Sequence, residues 1–212
     1  QELCNIVWGF ATLVVDHAGL YDAAADEAVR KLQSFNPQDI SNIAWSFAVI
    51  GRTDASLFRA ISAAATSRMQ RSTPQNLANL VWSYAKLTLH DPGLFAACTV
   101  AAMAKIQEFS PQAISNVVWA FAKSSTIDTE LFNACSKRAV IARRQLTPQA
   151  LSNLAWSAGK LGIADQDLFH AITQEVLVNV DRLNAQGLSN IAWAYATLVM
   201  DDKKAVCAIA RE

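Results

Sequence analysis

The stretch that decides the fold runs from Pro37 to Ala48 and reads PQDISNIAWSFA. Close copies begin at Pro74 (PQNLANLVWSYA) and at Pro111 (PQAISNVVWAFA), each 37 residues after the one before. The tryptophans of the chain keep this step without a gap and stand at Trp8, Trp45, Trp82, Trp119, Trp156 and Trp193. A fixed period of this length is the signature of a repeat array.

Other residue types keep the same register, which we count from the Trp of each repeat. Gln stands at position −7 and Asn at position −3 in all six repeats, and Pro stands at position −8 in four. We expect one array over residues 1–212, with repeats at about 1–35, 36–72, 73–109, 110–146, 147–183 and 184–212. Neither end resembles the polar cap that closes a solenoid, so we expect the array to be part of a longer chain.

Each repeat reads as two helices. Asn36 is a good N-cap and Pro37 suits a first helical position, so helix A is predicted from Pro37 to about Ile50, ending near Gly51. A second helix, B, is predicted to follow for about four turns. Its start is marked by His17 in the first repeat and by Asp at position +9 in the others: Asp54, Asp91, Asp128, Asp165 and Asp202.

The two faces of helix A differ in composition. One face is apolar and must be buried against helix B, whereas Gln38, Asn42 and Trp45 lie on another side. A two-helix unit cannot bury both sides alone, so neighbouring units must stack. We therefore predict an all-α fold, a right-handed α-solenoid of stacked two-helix repeats with a groove lined by helices A.

Composition and charge exclude several classes of protein. Apolar residues make up 52% of the 212 residues, too many for a disordered chain. The longest apolar runs fall short of the roughly 20 residues that cross a bilayer, so no membrane insertion is expected. Lys and Arg total 18, as do Asp and Glu, which excludes a grip on nucleic acid by bulk positive charge alone.

The charge is nevertheless unevenly distributed along the chain. Residues 1–51 hold 2 basic and 6 acidic residues, residues 52–160 hold 12 and 5, and residues 161–212 hold 4 and 7. The net charges are therefore −4, +7 and −3. The three middle repeats are the better candidates for contact with a polyanion.

The helix A motif resembles the signature of the heptatricopeptide and octotricopeptide repeat families, which include proteins of the FAST-kinase-like and RAP type. The resemblance covers nearly the whole chain, and the period fits the heptatricopeptide class better. It implies RNA binding in a mitochondrion, or alternatively a chloroplast or other plastid. The roles implied are RNA maturation, stability, translation or ribosome structure. Repeats 5 and 6 depart from the pattern at Ala158-Gly159 and Ala205-Val206, so we expect these units to pack or bind less well.

Positions −6, +1 and +4 vary between repeats and cluster around the Asn on a helical wheel, as a base reader with a constant frame requires. Three lysines at position +4 would form a column spaced about 10 Å apart, suited to phosphates. The RNA-binding candidates are Asn42, Asn79, Asn116, Asn153, Asp39, Asn76, Ser46, Ser83, Ser157, Lys86, Lys123 and Lys160.

Structural roles compete with these assignments. The six Trp are predicted to pack between repeats, and the Gln residues to hydrogen-bond between them. The Asn series could equally satisfy backbone groups or bridge helices, and the lysines could form a solvated face.

The sequence predicts no enzyme. His17, His90 and His170 keep no metal-ligand spacing, the repeated Asp residues are helix caps, and Cys98 and Cys135 substitute for core Ile. We expect no cofactor and no metal. The leading hypothesis is an RNA-binding solenoid that holds single-stranded or looped RNA, including loops of ribosomal RNA. The alternatives are an armadillo-like protein-binding scaffold in a large organellar complex, and the helical arm of a larger enzyme.

Overall fold

The computed structural model describes residues 1–126 and 128–200, together with Ala205 and Cys207. These residues contain eleven α-helices and no strand, which confirms the all-α prediction. Odd-numbered helices are helix A of the six repeats, and even-numbered helices are helix B of the first five. The helices are α1 (Glu2–Thr12), α2 (Ala18–Lys31), α3 (Pro37–Ile50), α4 (Ala55–Arg68), α5 (Pro74–Lys86), α6 (Pro92–Ala104), α7 (Pro111–Lys123), α8 (Thr129–Ile141), α9 (Pro148–Leu161), α10 (Gln166–Asn179) and α11 (Ala185–Thr197).

The helices begin at the predicted caps. Asn36 Oδ1 accepts the backbone N–H of Asp39 at 2.9 Å, and the Asp39 carboxylate accepts the N–H of Asn36 at 3.1 Å, forming a capping box. Helices B are capped by His17 and by the predicted Asp residues Asp54, Asp91, Asp128 and Asp165. Asp202 lies outside the described residues. The bond from the N–H of Leu57 lowers the pKa of Asp54, because it favours the charged form.

Each described helix B is followed by a 3₁₀ turn that the sequence did not predict. After α4, for example, Met69–Arg71 forms such a turn and leads directly into the cap of α5. Tightening of the last turn in this way is common at helix ends. The turns lie at Leu32–Ser34, Met69–Arg71, Ile106–Glu108, Arg143–Gln145 and Val180–Arg182.

Aromatic side chains link the core of one repeat to the next. Phe47 of α3 meets Tyr21 of α2 edge to face, with ring centroids 5.1 Å apart. Phe58 of α4 meets Tyr84 of α5 in the same way at 5.4 Å. In the last two repeats, Phe169 of α10 and Tyr195 of α11 lie 4.9 Å apart. A helix B aromatic therefore packs on the helix A aromatic of the following repeat, a geometry that favours aromatic pairs.

The cysteines predicted to substitute for Ile are core residues. Cys98 and Cys135 are fully buried on α6 and α8. Burial raises the pKa of the Cys135 thiol to about 12, so it stays protonated at neutral pH and behaves as an apolar side chain.

The chain forms two units, residues 1–105 and 106–212. In the first unit, α1, α3 and α5 pack side by side in chain order, as do α2, α4 and α6. In the second unit α7, α9 and α11 pack in order, and α8 packs on α10. In both units neighbouring helices A share more extensive contacts than neighbouring helices B. None of the described helices is both long and apolar enough to cross a bilayer.

Candidate nucleic-acid interface

One face of every helix A is open to solvent and carries the same residue types. Positions −7, −3, the Trp and +4 fall within about 60° of the helix circumference. We call this face of each helix A the helix A ridge. The glutamines at position −7 are exposed in all six repeats: Gln1, Gln38, Gln75, Gln112, Gln149 and Gln186. The ridge therefore presents a carboxamide near the start of each helix, and an indole further along it.

The asparagines of the ridge are only partly accessible. Asn42, Asn79 and Asn116 are half-buried, and Asn153 is 9% exposed. Gln149 Nε2 donates to Asn153 Oδ1 at 2.9 Å within α9, so this Gln bonds inside its own helix and not between repeats. Asn190 Nδ2 of α11 donates to Ser152 Oγ of α9 at 3.1 Å. That bond bridges neighbouring helices, the structural role weighed for the Asn series.

The structure corrects the prediction for position +1. Ser46, Ser83 and Ser157 are completely buried, and each hydroxyl donates to the carbonyl oxygen four residues earlier in its own helix. These side chains are covered by the adjacent helix A. They cannot reach a ligand on the ridge, so they are packing residues and not RNA-binding candidates.

The structure also corrects the prediction for position −6, because the candidate side chains at this position are engaged in helix capping. Asp39 is 8% exposed and is held in the capping box of α3. Asn76 caps α5 in the same way, and its Nδ2 donates to Ser41 Oγ of α3 at 3.2 Å. Position −6 is the third residue of the helix, so its side chain turns back to the cap or across to the neighbouring helix.

Small side chains let consecutive helices A approach closely. Positions −4 and +3 on one helix are buried against positions −6, −3 and +1 of the next, as the bond from Asn76 to Ser41 illustrates. Positions −4, +1 and +3 carry Ala, Ser or Gly in every repeat, with Cys4 as the one exception. At the α9–α11 contact, a methyl group added to Gly159 would lie 2.8 Å from the indole of Trp193. The departure of repeat 5 from the motif therefore makes room for the next Trp.

The tryptophans contact neighbouring repeats and also remain partly open. The rings of Trp119 and Trp156 lie 6.3 Å apart, so these indoles pack between α7 and α9. Trp8 and Trp193 are 47% and 42% exposed, and the other four are half-buried. Each of these indoles therefore packs against a neighbouring repeat with part of its surface, and the rest of its surface is accessible to solvent.

The lysines of the ridge are exposed at the C-terminal ends of their helices. Lys123 and Lys160 occupy the same position on neighbouring helices α7 and α9, and Lys86 has this position on α5 of the first unit. A cation at a helix C-terminus also interacts favourably with the helix dipole. These ammonium groups remain available to an anionic ligand.

Other basic residues of the middle repeats are engaged inside the protein. Arg68 Nη2 donates to the carbonyl oxygen of Gln33 at 3.0 Å, and Lys105 Nζ donates to that of Gln70 at 2.8 Å. These two cations stand 37 residues apart and make the same contact with the turn of the preceding repeat. Arg143 lies 3.8 Å from the Glu175 carboxylate. Part of the positive charge in the centre of the sequence is therefore structural.

The fold defines an all-α protein built from stacked helical-hairpin repeats, in which each described helix A presents the same Gln, Asn and Trp on one face. Residues 1–203 match the family model of the RNA-editing substrate-binding complex 6 protein, and the chain belongs to that family. No curated protein shows significant sequence similarity to the chain. The resemblance to heptatricopeptide and octotricopeptide repeats stays a prediction.

Proposed function

We propose that this protein is a subunit of an RNA-editing substrate-binding complex and holds single-stranded or looped RNA along its helix A ridge. The observation that carries the proposal is the repetition of one set, an exposed Gln beside a partly accessible Asn and Trp, with an exposed Lys added in repeats 3, 4 and 5. Carboxamides can hydrogen-bond base edges, and partly open indoles can stack bases. Lysines can neutralise phosphates.

The proposed role is binding without catalysis or cofactor. The name of the family refers to the binding of an RNA-editing substrate, which supports an RNA-related role. A location in a mitochondrion, or alternatively a plastid, is part of this proposal and follows from the resemblance to organellar repeat proteins.

A protein-binding scaffold without RNA contact is the second candidate function. It is supported by large apolar side chains exposed on the helix B layer, which a partner subunit could cover. They are Val29, Val100, Met103, Ile141, Leu177 and Val178. Association with another subunit through this layer is compatible with RNA on the ridge, since the two surfaces lie on different helices.

Charge reversal on the ridge separates the two candidates. Lys86, Lys123 and Lys160 are changed together to Glu, and affinity for a random-sequence single-stranded RNA is measured as a function of salt. The matched control changes three exposed helix B cations, Arg30, Arg59 and Lys137, to Glu, so that both variants have the same net charge.

The ridge variant is expected to lose at least about tenfold in affinity. Its salt dependence, the slope of log K against log salt, should fall by about 2, because each phosphate contact to a single strand contributes about 0.7. The control should lose much less. Equal affinities for the wild-type protein and the ridge variant would contradict RNA binding on this surface and would favour the scaffold.

A further inference from the structure

A cavity of about 280 Å³ opens between the first turns of α9 and α11 in the second unit. Gln149 and Asn190 of the ridge line it, together with Gln186, Gly187 and Arg182. Its volume is close to the lower limit of small-molecule pockets, about 300 Å³, and suits one nucleotide unit. The cavity is continuous with the ridge, since Gln149, Gln186 and Asn190 occupy ridge positions −7 and −3.

Repeat 6 has Gly at position −6, in the lining of the cavity. In repeat 3 the same position is Asn76, whose side chain crosses to Ser41 Oγ of the preceding helix A at 3.2 Å. Gly187 sends no side chain into the corresponding space between α9 and α11. Its added Cβ would come within 3.3 Å of Asn184 Oδ1 and 3.4 Å of Leu183 Cδ2, so any larger side chain has to extend into the cavity.

The lining favours a base that donates hydrogen bonds. Gln149 Nε2 is engaged by Asn153 Oδ1, and Asn190 Nδ2 is engaged by Ser152 Oγ. Each amide nitrogen keeps one free N–H, whereas the oxygens Gln149 Oε1 and Asn190 Oδ1 keep both lone pairs, so these two side chains can accept more hydrogen bonds from a ligand than they can donate. An exocyclic amino group, as in cytosine and adenine, can donate to such oxygens, whereas uracil has a carbonyl at that place.

The entrance also carries a cation. Arg182 belongs to the 3₁₀ turn Val180–Arg182, is exposed, and makes one long hydrogen bond, 3.4 Å to Asn179 Oδ1. Its remaining guanidinium donors can contact a phosphate, the anion that suits their geometry.

We propose that this cavity is a nucleotide subsite of the RNA-binding ridge, with the amide oxygens reading an amino-bearing base and Arg182 holding its phosphate. The inference rests on the proposed function and goes beyond it. It assigns base preference to one place between repeats 5 and 6, whereas the ridge lysines bind any sequence.

The test compares two oligoribonucleotides whose bases match in size, hexacytidylate and hexauridylate. The wild-type protein is expected to bind hexacytidylate about tenfold more tightly, within the range for paired hydrogen bonds to a base. Gly187→Asn introduces the residue that repeat 3 carries at this position. It should abolish the preference while weak binding of both oligomers remains. Gln149→Leu should reduce it from the exposed rim.

Two controls distinguish base preference at the subsite from general RNA binding by the ridge. Gln38→Leu makes the same change at position −7 of repeat 2, on the helix A that precedes the space that Asn76 fills, and should leave the preference intact. Arg182→Ala should weaken both oligomers equally. A wild-type protein without preference, or a preference that survives both Gly187→Asn and Gln149→Leu, would overturn the subsite. Binding of neither oligomer would overturn the proposed function as well.

Discussion

The indole of Trp193 lies directly against Gly159, so closely that one added methyl group would be 2.8 Å from the ring and 3.2 Å from the backbone of Ala194. The other five repeats have Ala at this position. The close packing of α9 on α11 therefore depends on the absence of a side chain at position 159. A substitution at this position tests that packing.

Gly159→Ala is expected to lower the free energy of unfolding, although Ala is the better helix former. Overpacking costs roughly 1–3 kcal/mol, against a gain in helix propensity of about 1 kcal/mol. Chemical denaturation followed by Trp fluorescence measures the difference. Gly9→Ala in α1 is the control, because its Cβ would meet nothing within 4 Å and should stabilise the protein. Equal stabilisation by both substitutions would show that the close contact is absent.

Two buried tyrosines should respond in opposite ways to loss of the hydroxyl. Tyr84 Oη donates to the carbonyl oxygen of Phe58 at 2.6 Å, so Tyr84→Phe should cost about 1 kcal/mol. Tyr21 Oη is buried without a hydrogen-bond partner among the described residues. Tyr21→Phe, which introduces the residue that repeats 2 to 5 carry at this place, should be neutral or stabilising. Thermal melting of the two variants tests the pair, and a larger loss for Tyr21→Phe would contradict it.

Lys105 should contribute to stability and not to RNA binding. Its Nζ donates to the carbonyl oxygens of Gln70 and Ser72 at 2.8 and 2.7 Å. Lys105→Met should cost about 1–2 kcal/mol and leave RNA affinity within about twofold. Lys31 has the same register in repeat 1 but makes only an exposed ion pair with Glu27. Lys31→Met should therefore cost less than about 0.5 kcal/mol. A large loss of RNA affinity in Lys105→Met would assign this ammonium group to the ligand instead.

The cap of α4 should make stability depend on pH in the acid range. Hydrogen bonds to the carboxylate hold the pKa of Asp54 below its ordinary value, so the charged cap stabilises the folded state above about pH 4. This contribution is lost as the pH falls through the native pKa. Asn also caps helices and does not titrate, so Asp54→Asn should match the wild type near pH 7.

The measurement is the free energy of unfolding of both proteins between pH 6 and pH 3. The wild type should lose stability relative to Asp54→Asn over this interval. Asp54→Ala should be less stable by about 1 kcal/mol near pH 7, because it removes the cap altogether. A constant difference between the wild type and Asp54→Asn at every pH would mean that the carboxylate is not held by the helix.

The fold could be predicted from local signals because each repeat contains residues that mark where its helices begin and end. Asn36, Pro37 and Gly51 mark the start and the end of a helix through backbone chemistry that acts over a few residues. The buried face of Ile40, Ile43 and Phe47 follows from helix periodicity alone. The 3₁₀ turns had no such signal, since they depend on how a helix B joins the following helix A.

The candidate site was predicted only in part. A helical wheel separates the core from the rest of the helix, but it does not show which of the remaining positions a neighbouring helix will cover. It therefore grouped Ser46 and Lys86 together, although their positions are about 60° apart on the helix. The structure buries the serine against the adjacent helix A and exposes the lysine.

The sequence by itself determined the repeat, its two helices and its caps, because these depend on spacing and on interactions within a few residues. The tertiary structure decided which side of helix A meets solvent, since α3 and α9 are packed by neighbouring helices A on both flanks while the arc with Gln and Trp stays accessible. It also decided that a cavity lies beside Gly187 while Asn76 fills the equivalent space. A missing side chain becomes a cavity only when the helices around it are held in place by the rest of the fold.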